Sequence, residues 1–315
     1  MNVLFVMDPL DKINVSGYST YMLMLEACRR GWNVAYCTPD QLYVLQGEAF
    51  GAVSFCVVSP KEPFFQVDPV KELSLGTFDI VWMRKDPPFN MDYIFSTYML
   101  DLVPKKTMVL NDPLSIRNAN EKMFALQFPQ FCPPTMVTRE IERARRFAKE
   151  QETKVVIKPW DGNGGRGVLV SHYDDPNFRS MLEILTEEEK NYILVQRYIP
   201  EVVQGDKRII LVDGEAVGWM LRVPQPGDHR GNMHVGAKVA PFELSDRDKE
   251  ICAVLRPVLK KLGLLFVGID IIGQYLTEIN VTSPTGIREI NPMMNVEIEK
   301  MITDAVLLRY STRRE

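Results

Sequence analysis

Residues 158–168 read KPWDGNGGRGV, with four glycines (Gly162, Gly164, Gly165, Gly167) placed just after an apolar run that carries Lys158. Backbone amides without a neighbouring Cβ can approach phosphate oxygens closely, and a lysine beside them supplies a compact positive charge. Gly162, Gly164 and Gly167 spell GxGxxG, but the dinucleotide-binding form must open a helix, and here VLVSHY continues as a strand. The Walker form fails because no Lys-Ser/Thr closes the loop. The kinase form fails because its lysine lies downstream and HRD and DFG do not follow. What is left is a strand, a hairpin-like glycine loop and a return strand. Such a loop can fold over a triphosphate that the lysine neutralises, or it is simply a glycine-rich turn.

A second group of residues lies in FVGIDII and YLTEIN, which carry Asp270, Glu278 and Asn280. Glu278 and Asn280 are two apart and share one face of a strand. Asp270 joins that face only across an odd number of residues, so a three-residue loop of Gly273, Gln274 and Tyr275 is expected. Opposed carboxylates would then lie about 5 Å apart, and their repulsion calls for a proton or a cation. All the ligands are hard oxygens, which suits magnesium bridging phosphates. The plainer reading is a solvent-facing edge hairpin, yet Phe266, Val267, Ile269, Ile271, Leu276 and Ile279 make it apolar, and unpaired charge in such surroundings is costly. A glycosidase-type pair of acids would leave Lys158 and the glycine loop without a use.

The elements that must position these groups follow from periodicity. Residues 2–7 and 32–37 read as strands around a helix, TYMLMLEACRR, closed by Gly31, and residues 78–84 as a further strand ending in MRKDPPF. That alternation predicts an open parallel sheet with ligands beyond its strand ends. Near residue 120 the character changes. NDPLSIRNANEKMF reads as a turn and a helix carrying Lys122, and Pro129, Pro133 and Pro134 then punctuate the chain. From 154 to 220 short β-type runs predict an antiparallel sheet, with Asp213-Gly214 as a hairpin turn. A helix over 245–262 is expected between Ser245 as N-cap and Gly263, and a last helix over about 295–310.

Length and composition bound the rest. The 315 residues are enough for two domains, or three small ones around one site. A net charge of −4 argues against a nucleic-acid coat. No apolar run is long enough to span a membrane, and the N-terminus lacks a signal-peptide pattern, so a cytoplasmic protein is expected. Five scattered cysteines without CxxC read as free thiols. Three histidines (His172, His229, His234) form no zinc spacing with them.

Lys122 in NEKMF, Lys158 before the glycine loop, QRYI at 196–199, and Asp270, Glu278 and Asn280 in that order resemble an ATP-grasp ligase. VMDP (6–9), MRKDPPF (83–89), GDKRI (205–209) and LTEINVTSPTGIREI (276–290) are similar to prokaryotic-type glutathione synthetase, over nearly the whole chain. The resemblance implies an N-terminal α/β open-sheet domain (1–120), a central ATP-grasp lid domain (121–200) and an α+β C-terminal domain with an antiparallel sheet (201–315). It also implies formation of glutathione, ADP and phosphate from γ-glutamylcysteine, glycine and ATP through an acyl phosphate. Carried over by position, Lys122 and Lys158 would contact phosphates. Gln196, Arg197, Tyr198 and Ile199 would hold adenine. Asp270, Glu278 and Asn280 would hold two magnesium ions, with manganese as a substitute. Arg222, Arg230 and Asn232 would act near the transferring phosphate, with Ser283 and Thr285 assisting and Asp206 and Arg208 in the same wall. Arg84 and Asp86 would grip the γ-glutamyl end, unless they form only a surface ion pair.

The resemblance also suggests a homo-oligomer. No protein nucleophile is needed, since the substrate carboxylate attacks the γ-phosphate, so positioning, charge neutralisation and exclusion of water carry the chemistry. Residues 223–240 are the expected lid and 162–167 a second flap. Gly236, Ala237 and Lys238 depart from the glycine pair and arginine expected in this family, and His229 and His234 read as solvated loop residues. Two other readings share the loop and hairpin: an ATP-grasp ligase for another carboxylate and amine, and a regulatory ATP-binding protein without turnover. MRKDPPF and SPTGIREI favour the first reading over the former, and the retained metal-ligand set favours it over the latter.

Overall fold

The computed structural model describes residues 1–15, 17–162, 164–227, 231 and 236–313. The chain begins with β1 (Asn2–Val6), α1 (Ser19–Arg29) and β2 (Asn33–Cys37). Next come β3 (Leu42–Leu45), β4 (Glu48–Val58), β5 (Phe65–Val67), β6 (Lys71–Ser74), β7 (Ile80–Met83), α2 (Met91–Asp101) and β8 (Met108–Leu110). These strands form one sheet, in the order β3-β4-β2-β1-β7-β8, with β5 and β6 also on β4. Strands β2, β1, β7 and β8 are parallel, as their alternation with helices predicts. The sheet as a whole is mixed, because β4 runs antiparallel to β2 and carries β3, β5 and β6 antiparallel on itself. The short connections from β3 to β4 and from β4 to β5 permit only antiparallel pairing, since a parallel crossover needs a dozen residues or more.

Two short helices, α3 (Pro113–Asn118) and α4 (Glu121–Ala125), lead out of this sheet. A second sheet follows, from β9 (Thr135–Thr138), α5 (Ile141–Glu150), β10 (Val155–Pro159), β11 (Leu169–Ser171), α6 (Phe178–Thr186) and β12 (Ile193–Arg197), ordered β11-β10-β12-β9 and antiparallel throughout. Helices α5 and α6 cover it, and Ile141, Ala144, Phe147, Phe178, Leu182, Val155, Ile157, Ile193 and Val195 close a core of its own.

The third sheet is built from β13 (Asp206–Val212), β14 (Glu215–Val223) and β15 (Lys238–Ala240), then α7 (Asp246–Lys261), β16 (Phe266–Ile272) and β17 (Tyr275–Asn280), in the order β15-β14-β13-β16-β17. Asp213 and Gly214 make the β13–β14 turn with φ of 48° and 77°, the doubly left-handed form that Asp-Gly favours. Ser245 caps α7 in a reciprocal capping box with Asp248. The chain ends in α8 (Ile287–Met294) and α9 (Ile298–Thr312), so the expected last helix begins a little later and is preceded by another.

The first and third sheets share a core. Val3, Phe5, Leu23, Met24, Ile80 and Trp82 pack in one buried cluster with Ile210, Met220, Phe266, Ile287, Ile298 and Val306. Asn111, buried just past β8, ties the same joint. Its Nδ2 donates to the Phe266 and Val281 carbonyls at 2.8 Å each, and its Oδ1 accepts from the Leu265 and Phe266 amides at 2.9 and 3.0 Å. Phe124, Ala125, Phe128 and Phe131, downstream of α3, pack into the core under β16 and β17. Among the described residues, no helix is long and apolar enough to cross a membrane, and all five cysteines are free.

Candidate active site

Alternation along the third sheet places its charges on one face. Asp206 and Arg208 are two apart on β13 and therefore point the same way. Asp206 opposes Arg222 on β14, and Arg208 opposes Asp270 on β16. Arg222 Nε and Nη2 donate to Asp206 at 2.5 and 2.8 Å, and Arg208 Nε and Nη2 donate to Asp270 at 2.6 and 3.0 Å. Arg222 Nη2 also reaches Asp270 Oδ2 at 3.0 Å, which joins both forked pairs into one buried network.

Asp270 opposes Glu278 directly, as the parity argument requires, but by a different device. The turn has two residues, Gly273 and Gln274, with Ile272 paired to Tyr275; a β-bulge then leaves Thr277 as the extra residue that restores Asp270 to the Glu278 face. The expected three-residue loop is thereby corrected. The odd count is kept inside the strand, where Thr277 Oγ1 donates to the Asp270 carbonyl at 3.0 Å. Asn280 Nδ2 donates to Asp270 Oδ2 at 3.3 Å.

Above this face lies the glycine loop. In β10, Val155 and Ile157 enter the core while Val156 and Lys158 face a cleft of about 800 Å³. Gly164, Gly165 and Gly167 have φ of 59°, 77° and 72°, a left-handed run that side chains resist. A Cβ on Gly162 would lie 2.5 Å from Pro159 Cγ and 3.0 Å from the Arg166 carbonyl, so the loop is closed tightly at its base. Lys158 Nζ donates to Gln196 Oε1 at 3.1 Å, and Gln196 Nε2 to Thr135 Oγ1 at 2.8 Å. Lys122 stands on α4, whose N-cap Asn120 accepts from the Lys122 and Met123 amides. Its ammonium donates to Glu121 and to the Gly162 carbonyl, and lies 3.7 Å from Glu278 Oε1. One lysine thus touches the helix, the loop and the carboxylate hairpin.

The electrostatics follow from burial and these partners. Burial alone would raise the pKa of Asp270, but Arg208 and Arg222 outweigh it and hold the carboxyl well below the usual range. Burial raises Asp206 despite Arg222. Glu121 is pushed up to about 7 by burial and then by Glu278. Burial lowers Lys158, whereas in Lys122 the opposite push of Glu278 and Glu121 prevails and its pKa rises.

Of the residues singled out in the sequence, Lys122, Lys158, Gly162, Gly164, Gly165, Gln196, Arg197, Tyr198, Ile199, Asp206, Arg222, Asp270 and Glu278 line this one cleft. Gly167, Arg208 and Asn280 are not among its lining: Gly167 is exposed at the end of the loop, while Arg208 and Asn280 bond to Asp270. Arg230, Asn232, His229 and His234, with three more residues of the expected lid, lie outside the described residues. The apolar part of the wall was not anticipated: Val156, Val168, Val170, Val202 and Ile272 also face the cleft, and alternation of Val156 with Lys158 and of Val168 with Val170 was the available signal. Glu121 was missed too, although it adjoins Lys122.

Arg84 and Asp86 occupy a second recess. Arg84 is 1% exposed, its guanidinium lies 4.8 Å from the centre of the Phe266 ring, and it donates to Thr20 Oγ1 at 3.0 Å and the Pro284 carbonyl at 3.2 Å. Among the described residues no carboxylate lies within 4.0 Å of it. A surface ion pair is excluded by this burial. Ser283 Oγ donates to Asp86 Oδ1 at 2.5 Å, and the Thr285 carbonyl accepts from Arg208 at 3.3 Å. The Ser283-Pro284-Thr285 turn therefore touches both the arginine of the recess and the arginine behind the cleft. Phe266 and Asp270, four residues apart on β16, set the two about 13 Å apart.

The model of the prokaryotic glutathione synthetase N-terminal domain matches residues 1–117, and that of the prokaryotic glutathione synthetase ATP-grasp domain matches residues 121–295. The chain is 42% identical over 306 residues to the glutathione synthetase of Agrobacterium fabrum, covering 97% of this chain and 96% of that one. It is 44% identical over 308 residues to that of Bradyrhizobium diazoefficiens, covering 97% and 98%. Among solved structures, D-cycloserine synthetase superposes with a TM-score of 0.69 at 14% identity, covering 98% of this chain and 99% of that one. The ATP-grasp ligase PsnB, complexed with a minimal precursor, Mg and ADP, gives 0.62 at 15%, covering 98% of each. These two share the fold, an α/β domain joined to the ATP-grasp pair of sheets. The chain belongs to the prokaryotic glutathione synthetase family.

Proposed function

We propose that this chain joins γ-glutamylcysteine to glycine at the expense of ATP, releasing glutathione, ADP and phosphate. The observation that carries the reading is one cleft in which Lys122, Lys158 and the glycine loop face Asp270 and Glu278, with the Arg84 recess about 13 Å along the same strand. Residues 1–120 would bind the dipeptide, 121–200 would form the lid and 201–315 would carry the catalytic sheet.

The triphosphate would lie under Gly162, Gly164, Gly165 and Gly167, neutralised by Lys122 and Lys158. The adenine would meet the 196–199 segment against Val156, Val170 and Ile272. Because the Arg197 and Tyr198 amides donate to the Pro134 and Lys154 carbonyls, the base would use the remaining backbone groups there. Among the described residues no group of three or more His, Cys, Asp and Glu side chains is placed to hold a metal ion. Asp270, Glu278 and the amide oxygen of Asn280 are hard donors but an incomplete shell, which suits magnesium completed by phosphate oxygens. Two ions per site are our reading, and manganese would serve in their place. The metal would withdraw charge from the phosphates. Arg84 would take the γ-glutamyl carboxylate and Asp86 its amine, with Ser283 holding Asp86.

The cysteinyl carboxylate attacks the γ-phosphate and ADP leaves. The glycine amine then attacks the acyl phosphate and phosphate leaves. Arg222 would neutralise the transferring group, with Arg208 behind it and Arg230, Asn232 and Thr285 completing the wall. Closure over the cleft keeps water from the acyl phosphate. We place the enzyme in the cytoplasm as a homo-oligomer. Phosphate release from Mg-ATP with both substrates, compared with each alone and with other amino-acid pairs, tests the reading. Glutathione identified by mass only with that pair supports it; turnover only with another pair overturns the substrate assignment.

A further inference from the structure

Trp160, within KPWDGNGGRGV, lines neither the cleft nor the Arg84 recess. It follows β10 directly, two residues beyond Lys158. There it walls a second, narrow pocket with an empty volume of about 340 Å³, whose centre admits little more than one water-sized group. Pro87, Phe89, Ala119 and Val281 complete the apolar lining, and Asn120, Glu121, Asp161 and Thr282 form a polar edge. The walls are held in place. The Phe89 ring lies 5.3 Å from that of buried Tyr93, the Val281 carbonyl accepts from Asn111 at 2.8 Å, and Asn120 Nδ2 donates to the Trp160 carbonyl at 3.4 Å.

This pocket lies between the two sites. Pro87 and Thr282 adjoin Asp86 and Ser283 of the recess, whereas Glu121, Asp161 and Val281 adjoin Lys122, Gly162 and Asn280 around the cleft. An acyl donor that reaches from the recess to the phosphates passes it midway. We infer that the pocket takes the side chain of the donor's carboxyl-terminal residue, the cysteinyl thiol, and that Trp160 sets the size it accepts. The inference rests on the ligase reading and specifies how that site chooses its acyl substrate. Three observations select a small, neutral side chain. The space holds a thiol, and a branched leucyl group would overfill it. The apolar lining suits sulfur, which is soft and weakly polar. Glu121 and Asp161 stand at the edge, and among the described residues lining the pocket there is no cation, so a carboxylate is repelled. The same charges exclude the acceptor amino acid, whose carboxylate would need a positive partner. Trp160 has the largest side chain of the lining and so governs its width.

Kinetics of the full chain with glycine and Mg-ATP test it, read as ratios of kcat/KM between γ-glutamyl dipeptides so that a general loss of activity cancels. In the wild type, γ-glutamylcysteine should exceed γ-glutamylleucine roughly a hundredfold and γ-glutamylglycine, which leaves the pocket empty, roughly tenfold. Trp160→Ala should bring the leucyl dipeptide to within about fivefold of the cysteinyl one. It should leave γ-glutamylaspartate rejected, because Glu121 and Asp161 remain. If the alanine variant fails to fold, Trp160→Leu should move the leucyl ratio part of the way, and Thr282→Leu, which fills the pocket from another wall, should bring the cysteinyl dipeptide down toward the glycyl one. A wild type that uses leucyl and cysteinyl dipeptides alike, ratios unmoved in these variants, or an equal gain by the aspartyl dipeptide overturns the inference while the ligase reading stands. Turnover with none of the dipeptides overturns both.

Discussion

Asp270→Asn separates the structural work of this carboxylate from its proposed place among the metal donors. In the wild type, two arginines and two aspartates balance inside one face of the third sheet. The substitution leaves Asp206 alone between Arg208 and Arg222, both nearly fully buried. Breaking a buried ion pair by removing one partner costs about 3–5 kcal/mol. At roughly 2 °C per kcal/mol for a chain of this size, the unfolding midpoint should fall by about 6–10 °C. Glu278→Gln is the control, since Glu278 is half-buried and 3.7 Å from Lys122. Its loss should cost about 1 kcal/mol, because Glu278 is itself partly exposed and buried Lys122 keeps Glu121 as a partner. Both variants should lose about 3 kcal/mol of transition-state stabilisation, or roughly 150-fold in kcat/KM, if the proposed donor set is broken. Thermal unfolding without nucleotide, set beside a phosphate-release assay, reads both quantities. A midpoint unchanged in Asp270→Asn would refute the buried charge balance, and equal midpoint losses in both variants would refute the contrast between them.

Further outcomes follow from the same geometry. The pKa of Glu121 is raised by folding to about 7, so its contribution to stability is present below its ordinary value and is lost as pH climbs through about 7; Glu121→Gln should flatten that part of a midpoint-against-pH curve, and a parallel offset at every pH would contradict it. Gly162→Ala forces a Cβ onto Pro159 and should raise KM for ATP about tenfold with the KM for dipeptide unchanged; a rise in both would place the loop elsewhere. Asn111→Ala orphans four buried backbone groups and should cost about 4 kcal/mol at 1–3 kcal/mol for each group not reached by water, read by denaturant unfolding; a loss below about 1 kcal/mol would mean that the joint does not depend on it.

Much of the site was legible because its charges lie on strands. Period-two alternation is enough to set Glu278 beside Asn280 and Lys158 beside the glycine loop, and the parity of the β16–β17 connection follows from counting residues. Where the odd residue resides does not. A two-residue turn with a bulge and a three-residue turn give the same pairing of Asp270 with Glu278, and only packing around Thr277 decides between them. Strands β3–β6 escaped notice because short, half-exposed antiparallel strands lack a strong period of their own. Helix α8 was hidden by Pro292 within it, a residue that ordinarily argues against a helix interior. Arg222 in its network is a property of three neighbouring strands, and no local pattern in LRVP indicates which acids face it.

The shared core of the first and third sheets, with Asn111 riveting their joint, assigns the mechanical roles. Those two sheets form a single anvil, whereas the middle sheet, which closes a core of its own, is attached to them at two covalent crossings, one through Pro129, Pro133 and Pro134 and one through residues 199–205. Under the proposed function, closure over the cleft would be a swing of one small body about a double hinge, with the proposed dipeptide recess built wholly into the part that stays still. Small-angle scattering should register compaction when nucleotide enters and none when the dipeptide enters alone. The chain would thus recognise its acyl substrate on rigid ground and commit to chemistry only when the hinge folds.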